Sequence, residues 1–447
     1  MAGPSAEMNP EADTIFALAS APGRAGVAVV RVSGPRAEEA IRRLTRRDSP
    51  PERQARLRAL YDESTNERID VALVLLFAAE RSYTGEIVVE FQIHGGRAVQ
   101  AALLAALAAL PGFRLAEPGE FTRRAVENGR LDLTQAEAIA DLVDAETDAQ
   151  RRQALNQYEG RLAALYEDWR ARLIRAAAWI EAGIDFADED IPPDAADTSR
   201  AALAAIREEI RAHLDDGRRG EILREGLQVA VIGPPNAGKS SLVNALARRD
   251  VAIVSETPGT TRDVIEVRLD LAGFPVILAD TAGLRDSGDS IEKEGVRRAR
   301  ARAAAADLRL LVLDGSASGP LDAVSAELRA AADLVVWNKA DLVPERPAGG
   351  FRVSAKTGEG LAGLIQALAE RAANRLSVGE APVLTRARHR QALEAAAESI
   401  SAALDASEPE LGAEHLRFAL RALGRIAGLV DLDELLDVVF RDFCIGK

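Results

Sequence analysis

The 447-residue sequence holds a single cysteine, Cys444, so no disulfide can form within the chain. Its four histidines, His94, His213, His389 and His415, show no zinc-ligand spacing. No run of 18 or more apolar residues occurs. The longest candidate, AALLAALAAL at 101–110, is too short to span a bilayer and reads as a buried helix. The acidic N-terminus lacks the charged-then-apolar pattern of a signal peptide. These absences predict a cytoplasmic protein with no membrane span. A net charge of −14 argues against a protein that coats nucleic acid by bulk attraction. A local basic surface remains open: Arg42, Arg43, Arg46, Arg47, Arg53, Arg56 and Arg58 crowd one stretch, expected to be a solvated helix and the loop after it.

The length suggests roughly three domains. Residues 1–127 read as mixed α and β, with strands at GVAVVRVSG (26–34), VALVLLF (71–77) and EIVVEFQI (86–93) and helices over 35–47 and 96–110. From 128 to 222 the strands vanish, and apolar residues recur at spacings of three and four, as in RLAALYEDWRARLIRAAAWIEA. Pro192 and Pro193 break that helical run. Strands and helices alternate again over 223–375, which predicts a mostly parallel sheet covered on both faces. Residues 376–447 return to helix. The expected fold is therefore multidomain α/β plus all-α, with an α/β unit inserted into a helical domain built from two separated segments.

Within the inserted unit, GPPNAGKS (233–240) follows the strand LQVAVI and opens a helix, the context in which a glycine-rich turn cradles phosphates. Lys239 supplies a charge to the β and γ phosphates and Ser240 a hydroxyl for Mg2+. DTAG follows the strand FPVILA, placing Asp280 to hold Mg2+ through water and Gly283 beside the γ-phosphate. NKAD ends another strand; the Asp341 carboxylate can accept from guanine N1–H and N2–H, a donor pair that adenine lacks. SAK (354–356) follows, where backbone N–H groups can read guanine O6. Four motifs at strand C-terminal ends match the ligand position of an open α/β sheet. The contacts they imply run over Asn236, Ala237, Gly238, Lys239, Ser240 and Ser241, then Asp280, Thr281, Ala282 and Gly283. The base end takes Asn338, Lys339, Ala340, Asp341, Ser354, Ala355 and Lys356.

Many GTPases place a water-orienting Gln just after the D-x-x-G motif. Leu284 stands there, so another group must act, with Arg285 and Glu292 as candidates. Asn236, inside the phosphate loop, offers a carbonyl to a monovalent cation. SETPGTTRD, holding Ser255, Glu256, Thr257, Pro258, Gly259, Thr260 and Thr261, offers further oxygens or else is a flexible polar loop.

Together with these motifs, PGRAGVAVVRVSG, YTGE, HGG, PGEFTRRAVENGRLDLTQAEAIADLVDA, IDFADEDI, SAKTGEG and the closing FCIGK make the chain resemble, over residues 13–447, the MnmE (TrmE) family of GTPases that modify the wobble uridine of certain tRNAs. The resemblance implies an N-terminal folate-binding and dimerisation domain, a discontinuous helical domain and an inserted Ras-like G domain. It assigns K+ to Asn236, Ser255, Thr257 and Thr260, and Mg2+ to Ser240 and Thr261. Glu292 becomes the water-positioning residue and Arg285 secondary. Arg31, Glu90, Arg130 and Lys447 become the site of a tetrahydrofolate derivative, 5-formyl or 5,10-methylene. Arg130 stands where the family often has Lys, Ser255 where it often has Thr, and Arg425 where an acid is usual.

The expected activity is K+-stimulated GTP hydrolysis by a homodimer working on tRNA with an MnmG-like flavoprotein, FAD entering only through that partner in a heterotetramer. The product is a carboxymethylaminomethyl or aminomethyl group at uridine carbon 5. The tail is expected to dock an amphipathic helix and bring Cys444 and Lys447 to the modification centre. The alternative is a ribosome-assembly or RNA-binding switch GTPase, which has no need of the N-terminal domain or the tail.

Overall fold

The computed structural model describes residues 13–185, 195–253, 266–280, 306–317, 323–343, 349–377, 382–428 and 446. The chain divides into two compact units, residues 1–140 with 423–447 and residues 141–422.

The first unit is built on a six-stranded sheet of β1 (Thr14–Leu18), β2 (Ala25–Ser33), β3 (Arg56–Tyr61), β4 (Arg68–Phe77), β5 (Val88–Gly95) and β6 (Phe113–Leu115), in the order β3-β4-β5-β2-β1-β6. Only β1 and β6 run parallel. Alternation sends Val30 and Val32 of β2 and Val89, Phe91 and Ile93 of β5 to one buried face. Helices α1 (Ala37–Thr45) and α2 (Arg97–Ala108) cover that face. α1 buries Ala37, Ala40, Ile41 and Leu44, one stripe at helical spacing. On the opposite face α3 (Glu120–Glu127) seats Phe121 against Ile15 and Ala17. Farther along that face Leu57, opposite Leu73 in register, is 64% exposed.

Three strands go beyond the sequence expectation. β1 and β6 are short. β3 begins inside the arginine run, so Arg56 and Arg58 lie in a strand and not in a loop. Its pattern is inverted: Arg56 and Arg58 alternate with Leu57 and Ala59. An edge strand tolerates this because only β4 pairs with it.

The second unit combines helices with a second sheet. α4 (Leu133–Asp144) leads into α5 (Asp148–Tyr158), α6 (Arg161–Asp185), α7 (Ala195–Leu214) and α8 (Arg219–Glu225). The sheet strands are β7 (Leu227–Ile232), β8 (Glu266–Leu271), β9 (Phe274–Asp280), β10 (Leu308–Asp314), β11 (Leu334–Asn338) and β12 (Phe351–Arg352). With them come α9 (Lys239–Ala247), α10 (Ala323–Ala331) and α11 (Leu361–Leu376). The chain then returns to helix in α12 (Ala387–Asp405) and α13 (Pro409–Ala427). Sheet order is β12-β11-β10-β7-β9-β8, parallel except for β8 against β9. β7 and β10 read LQVAVI and LRLLVLD, near-continuous apolar runs as a doubly covered sheet requires. β9 lies on one side of β7 and β10 on the other, which opens a crevice at the C-terminal end of β7.

The two helical segments are one domain. Arg390 of α12 donates to Glu221 (3.0 Å), to Asp216 (2.7 Å) and to the Leu214 carbonyl (2.8 Å). Arg386 pairs with Asp141 at 2.7 Å, and the Thr385 hydroxyl donates to Gln157 at 2.9 Å. The Glu221 side chain is only 3% exposed and is shared with Arg218 at 2.6 Å, so removing Arg390 takes a cation from two poorly solvated carboxylates at once, Glu221 and Asp216. Arg390→Ala is expected to destabilise the helical domain by about 3 kcal/mol. Arg170→Ala removes only the exposed pair with Glu167 and should change stability by less than about 0.5 kcal/mol. Thermal melting of the two variants beside the parent protein checks this.

Candidate functional site

The crevice at the end of β7 is shaped first by glycines. A Cβ at Gly233 would lie 2.1 Å from the Val312 carbonyl oxygen, and one at Gly238 would lie 2.2 Å from Asn338 Nδ2. Both glycines also take positive φ, 143° and 89°. Asn236 joins them in the left-handed region, with φ 62°. The loop passes directly into α9 without a side-chain cap and with no acidic residue in the first turn. The first-turn N–H groups therefore add to the positive end of the helix, which favours an anion. Lys239 is buried and folds back over the loop, its Nζ donating to the carbonyls of Gly233 and Pro234, each at 2.9 Å. Ser240 and Ser241 follow, half-buried and exposed. Such a loop is organised to take a chain of phosphates.

The base end is tied to it by one side chain. Asn338, at the end of β11, donates from Nδ2 to the Ala237 carbonyl at 3.0 Å and accepts at Oδ1 from the Ala355 N–H at 3.0 Å. Its own carbonyl accepts from Gly315 N–H at 2.8 Å. Lys339 adopts φ 64° and reaches Asp314 at 2.6 Å. Ala340 leads to Asp341, whose Oδ1 accepts from the Ser354 hydroxyl at 2.6 Å. That bond holds the Asp341 carboxyl below the ordinary carboxylate range, so an ionised acceptor faces solvent at neutral pH. Of the SAK amides expected to read guanine O6, Ser354 N–H bonds to the Glu359 carbonyl at 2.9 Å and Ala355 N–H to Asn338 Oδ1 at 3.0 Å.

Asp314 was not singled out in the sequence, although it stands at a strand end as the motif residues do. Asp280 ends β9. Ser255, Glu256, Thr257, Pro258, Gly259, Thr260, Thr261, Thr281, Ala282, Gly283, Arg285 and Glu292 lie outside the described residues, as do Cys444 and Lys447.

In the first unit, Arg31 of β2 and Glu90 of β5 are partners in register and bond at 2.9 and 3.1 Å. The Arg31 guanidinium lies over the rings of Tyr83 (5.4 Å) and Phe121 (5.8 Å), two aromatic supports that the sequence reading did not include. Arg130 is exposed, and its Cγ would be 3.1 Å from a Cβ at Gly85, two residues from Tyr83. Gly446 packs against the end of β1. A Cβ there would sit 2.2 Å from the Leu18 carbonyl oxygen and 3.2 Å from Ala19 Cα, at φ 101°. Leu18 is the β1 partner of Val30, the neighbour of Arg31.

Replacing the Asp341 acceptor by a donor tests the base end. Asp341→Asn is expected to weaken GTP binding about 10- to 100-fold, the loss of hydrogen bonds to a charged group. It should favour xanthosine triphosphate, whose C2 carbonyl accepts from the new amide. Titration with fluorescent analogues of both nucleotides measures the exchange.

The family described as the GTP-binding protein TrmE N-terminus matches residues 14–130, and the family described as the MnmE helical domain matches residues 133–444. The tRNA modification GTPase MnmE of Parvibaculum lavamentivorans is 56% identical over 439 residues, covering 97% of this chain and 100% of that protein. Its counterpart in Rhodospirillum rubrum is 55% identical over 453 residues, covering 97% and 99%. That of Paramagnetospirillum magneticum is 56% identical over 445 residues, covering 97% and 100%. With both family regions in place and relatives matched along almost their whole length, the chain belongs to the MnmE (TrmE) family.

Proposed function

We propose that the chain is a K+-stimulated GTPase that, with an MnmG-like flavoprotein, modifies carbon 5 of the wobble uridine of certain tRNAs. Hydrolysis drives a conformational cycle, while a tetrahydrofolate derivative supplies the one-carbon unit when bound. The observation that supports this most is Gly446, fitted against the Leu18 carbonyl at the end of β1 in a way that only glycine satisfies, on the strand that pairs with the one carrying Arg31. A switch GTPase has no use for a tail fitted to an N-terminal sheet.

In this reading Asn338 and Asp341 select guanine, and Lys239 releases its two carbonyl partners to meet the phosphates. Ser240, half-buried on the first turn of α9, presents a hydroxyl of the hard-oxygen type that Mg2+ prefers; Thr261 joins it. Asn236, exposed on the phosphate loop, presents an amide oxygen to K+ with Ser255, Thr257 and Thr260. These ions, when bound, set positive charge against the phosphate oxygens. Glu292 positions the attacking water, since Leu284 has no polar atom to do so. Arg31, Glu90, Arg130 and Lys447 hold the folate, with Cys444 at the same centre. The exposed apolar face carrying Leu57, Val71 and Leu73 supports association of two copies through the N-terminal domain. A cytoplasmic setting follows from that partnership with tRNA.

Two outcomes follow. GTP turnover should be far faster in K+ than in Na+ at matched ionic strength, and equal rates would remove K+ from the site. Gly446→Val, or loss of residues 444–447, should leave that turnover intact and abolish tRNA modification with the flavoprotein. A truncated protein that still modifies tRNA would overturn the role of the tail.

A further inference from the structure

The arginine run takes no part in the sites above, and its side chains are set out around one corner of the N-terminal sheet. Arg43 is held by Glu39 (2.7 Å) and Glu63 (2.9 Å), the arrangement of an ordinary surface helix. Its neighbours differ. Arg42, on the last turn of α1, and Arg47, just beyond it, are exposed and have no ion-pair partner among the described residues. Arg46, the C-cap of α1, is exposed and lies over the Tyr61 ring at 4.3 Å, bonding only to the neutral Asn66. Arg68, opposite Tyr61 in register across the β3–β4 pair, is exposed and likewise without an ion-pair partner among the described residues.

A helix C-terminus gains from one cation in its last turn, and Arg43 already provides it. The additional unpaired guanidiniums therefore need another account. In a chain of net charge −14 they are the more telling, because a polyanion is repelled by the rest of the surface and binds only where cations exceed acids. Asp48 and Glu52 are the only acids within residues 42–58, and in the hairpin turn before Arg68 Glu63 is held by Arg43 and Asp62 by Ser64 and Thr65, which leaves Glu67.

We propose that the surface formed by Arg42, Arg46, Arg47 and Arg68 binds the sugar–phosphate backbone of the tRNA substrate, an inference that rests on the tRNA-modifying reading above. The guanidiniums spread over a helix end and a hairpin end instead of converging on one pocket. That suits an anion repeated at each nucleotide better than a single acidic side chain. The Tyr61 ring and Asn66 hold the Arg46 guanidinium, whose remaining N–H groups stay available to phosphate oxygens. Contacts of this kind position the RNA and carry no sequence information.

The test uses the full-length protein and an unmodified transcript of a tRNA with uridine at the wobble position, bound over a series of salt concentrations. The triple variants R42E/R46E/R47E and R42Q/R46Q/R47Q should both bind more weakly. The glutamine variant should show a log K against log salt slope shallower by about 2, from three lost phosphate contacts. GTP hydrolysis should match the parent in both, which confirms a folded protein. If the parent protein binds the transcript and both variants bind it equally well with the same salt slope, the surface is not an RNA contact. A loss confined to flavoprotein binding overturns the proposal in the same way and makes this a protein interface. If the parent itself fails to bind the transcript, with or without the flavoprotein, the tRNA reading falls and this surface falls with it.

Discussion

The nucleotide site depends on the side chain of Asn338. It is 2% exposed, yet it offers a donor to the phosphate loop and an acceptor to the loop after β12, and its backbone carbonyl takes the chain leaving β10. An unsatisfied amide at such a position would cost about 1–3 kcal/mol, so these three loops are coupled through it. Gly238 is the complement of that arrangement, because the space a Cβ would need is the space the Asn338 amide fills. The phosphate loop and the base-end loops are therefore parts of one hydrogen-bonded body.

Much of this was legible in the sequence where a physical pattern has one cause. The strands β2, β4 and β5 declare themselves by β-branched runs bounded by glycine or charged turns, and β7 and β10 by unbroken apolar runs between turn residues. β3 stayed hidden because Leu57 and Ala59 face away from the helices while Arg56 and Arg58 share the face of the buried Leu60, the reverse of what alternation is read to mean. Lys239, Asn338 and Asp341 could be placed because their roles are local to a motif. The Arg31–Glu90 pair joins residues 59 positions apart, and nothing in spacing announces it; the family resemblance named both residues but not their bond. Tyr83 and Phe121 were missed for the same reason, since an aromatic ring beneath a guanidinium leaves no periodic trace.

The insertion of the G domain is made workable by how its ends are held. Ile222 and Leu223 of α8, just before β7, and Leu376 at the end of α11 lie in the same hydrophobic cluster as the G-domain sheet. The chain thus enters and leaves through one packed junction, and Arg390 and Arg386 close the helical domain behind it. A domain inserted at neighbouring points interrupts its host with little strain. The Ala149 N–H bonded to the Gly273 carbonyl at 3.0 Å adds a tie from α5 to the turn between β8 and β9.

The place of Gly446 against Leu18 also constrains the order in which the molecule is made. The N-terminal sheet has all six of its strands once residue 115 has emerged from the ribosome, well before any helix after α3 exists. Its contact with Gly446 spans almost the entire chain, the slowest kind of closure for a polymer to find. The N-terminal unit is therefore the first to begin folding and cannot be finished until residue 446 has been made.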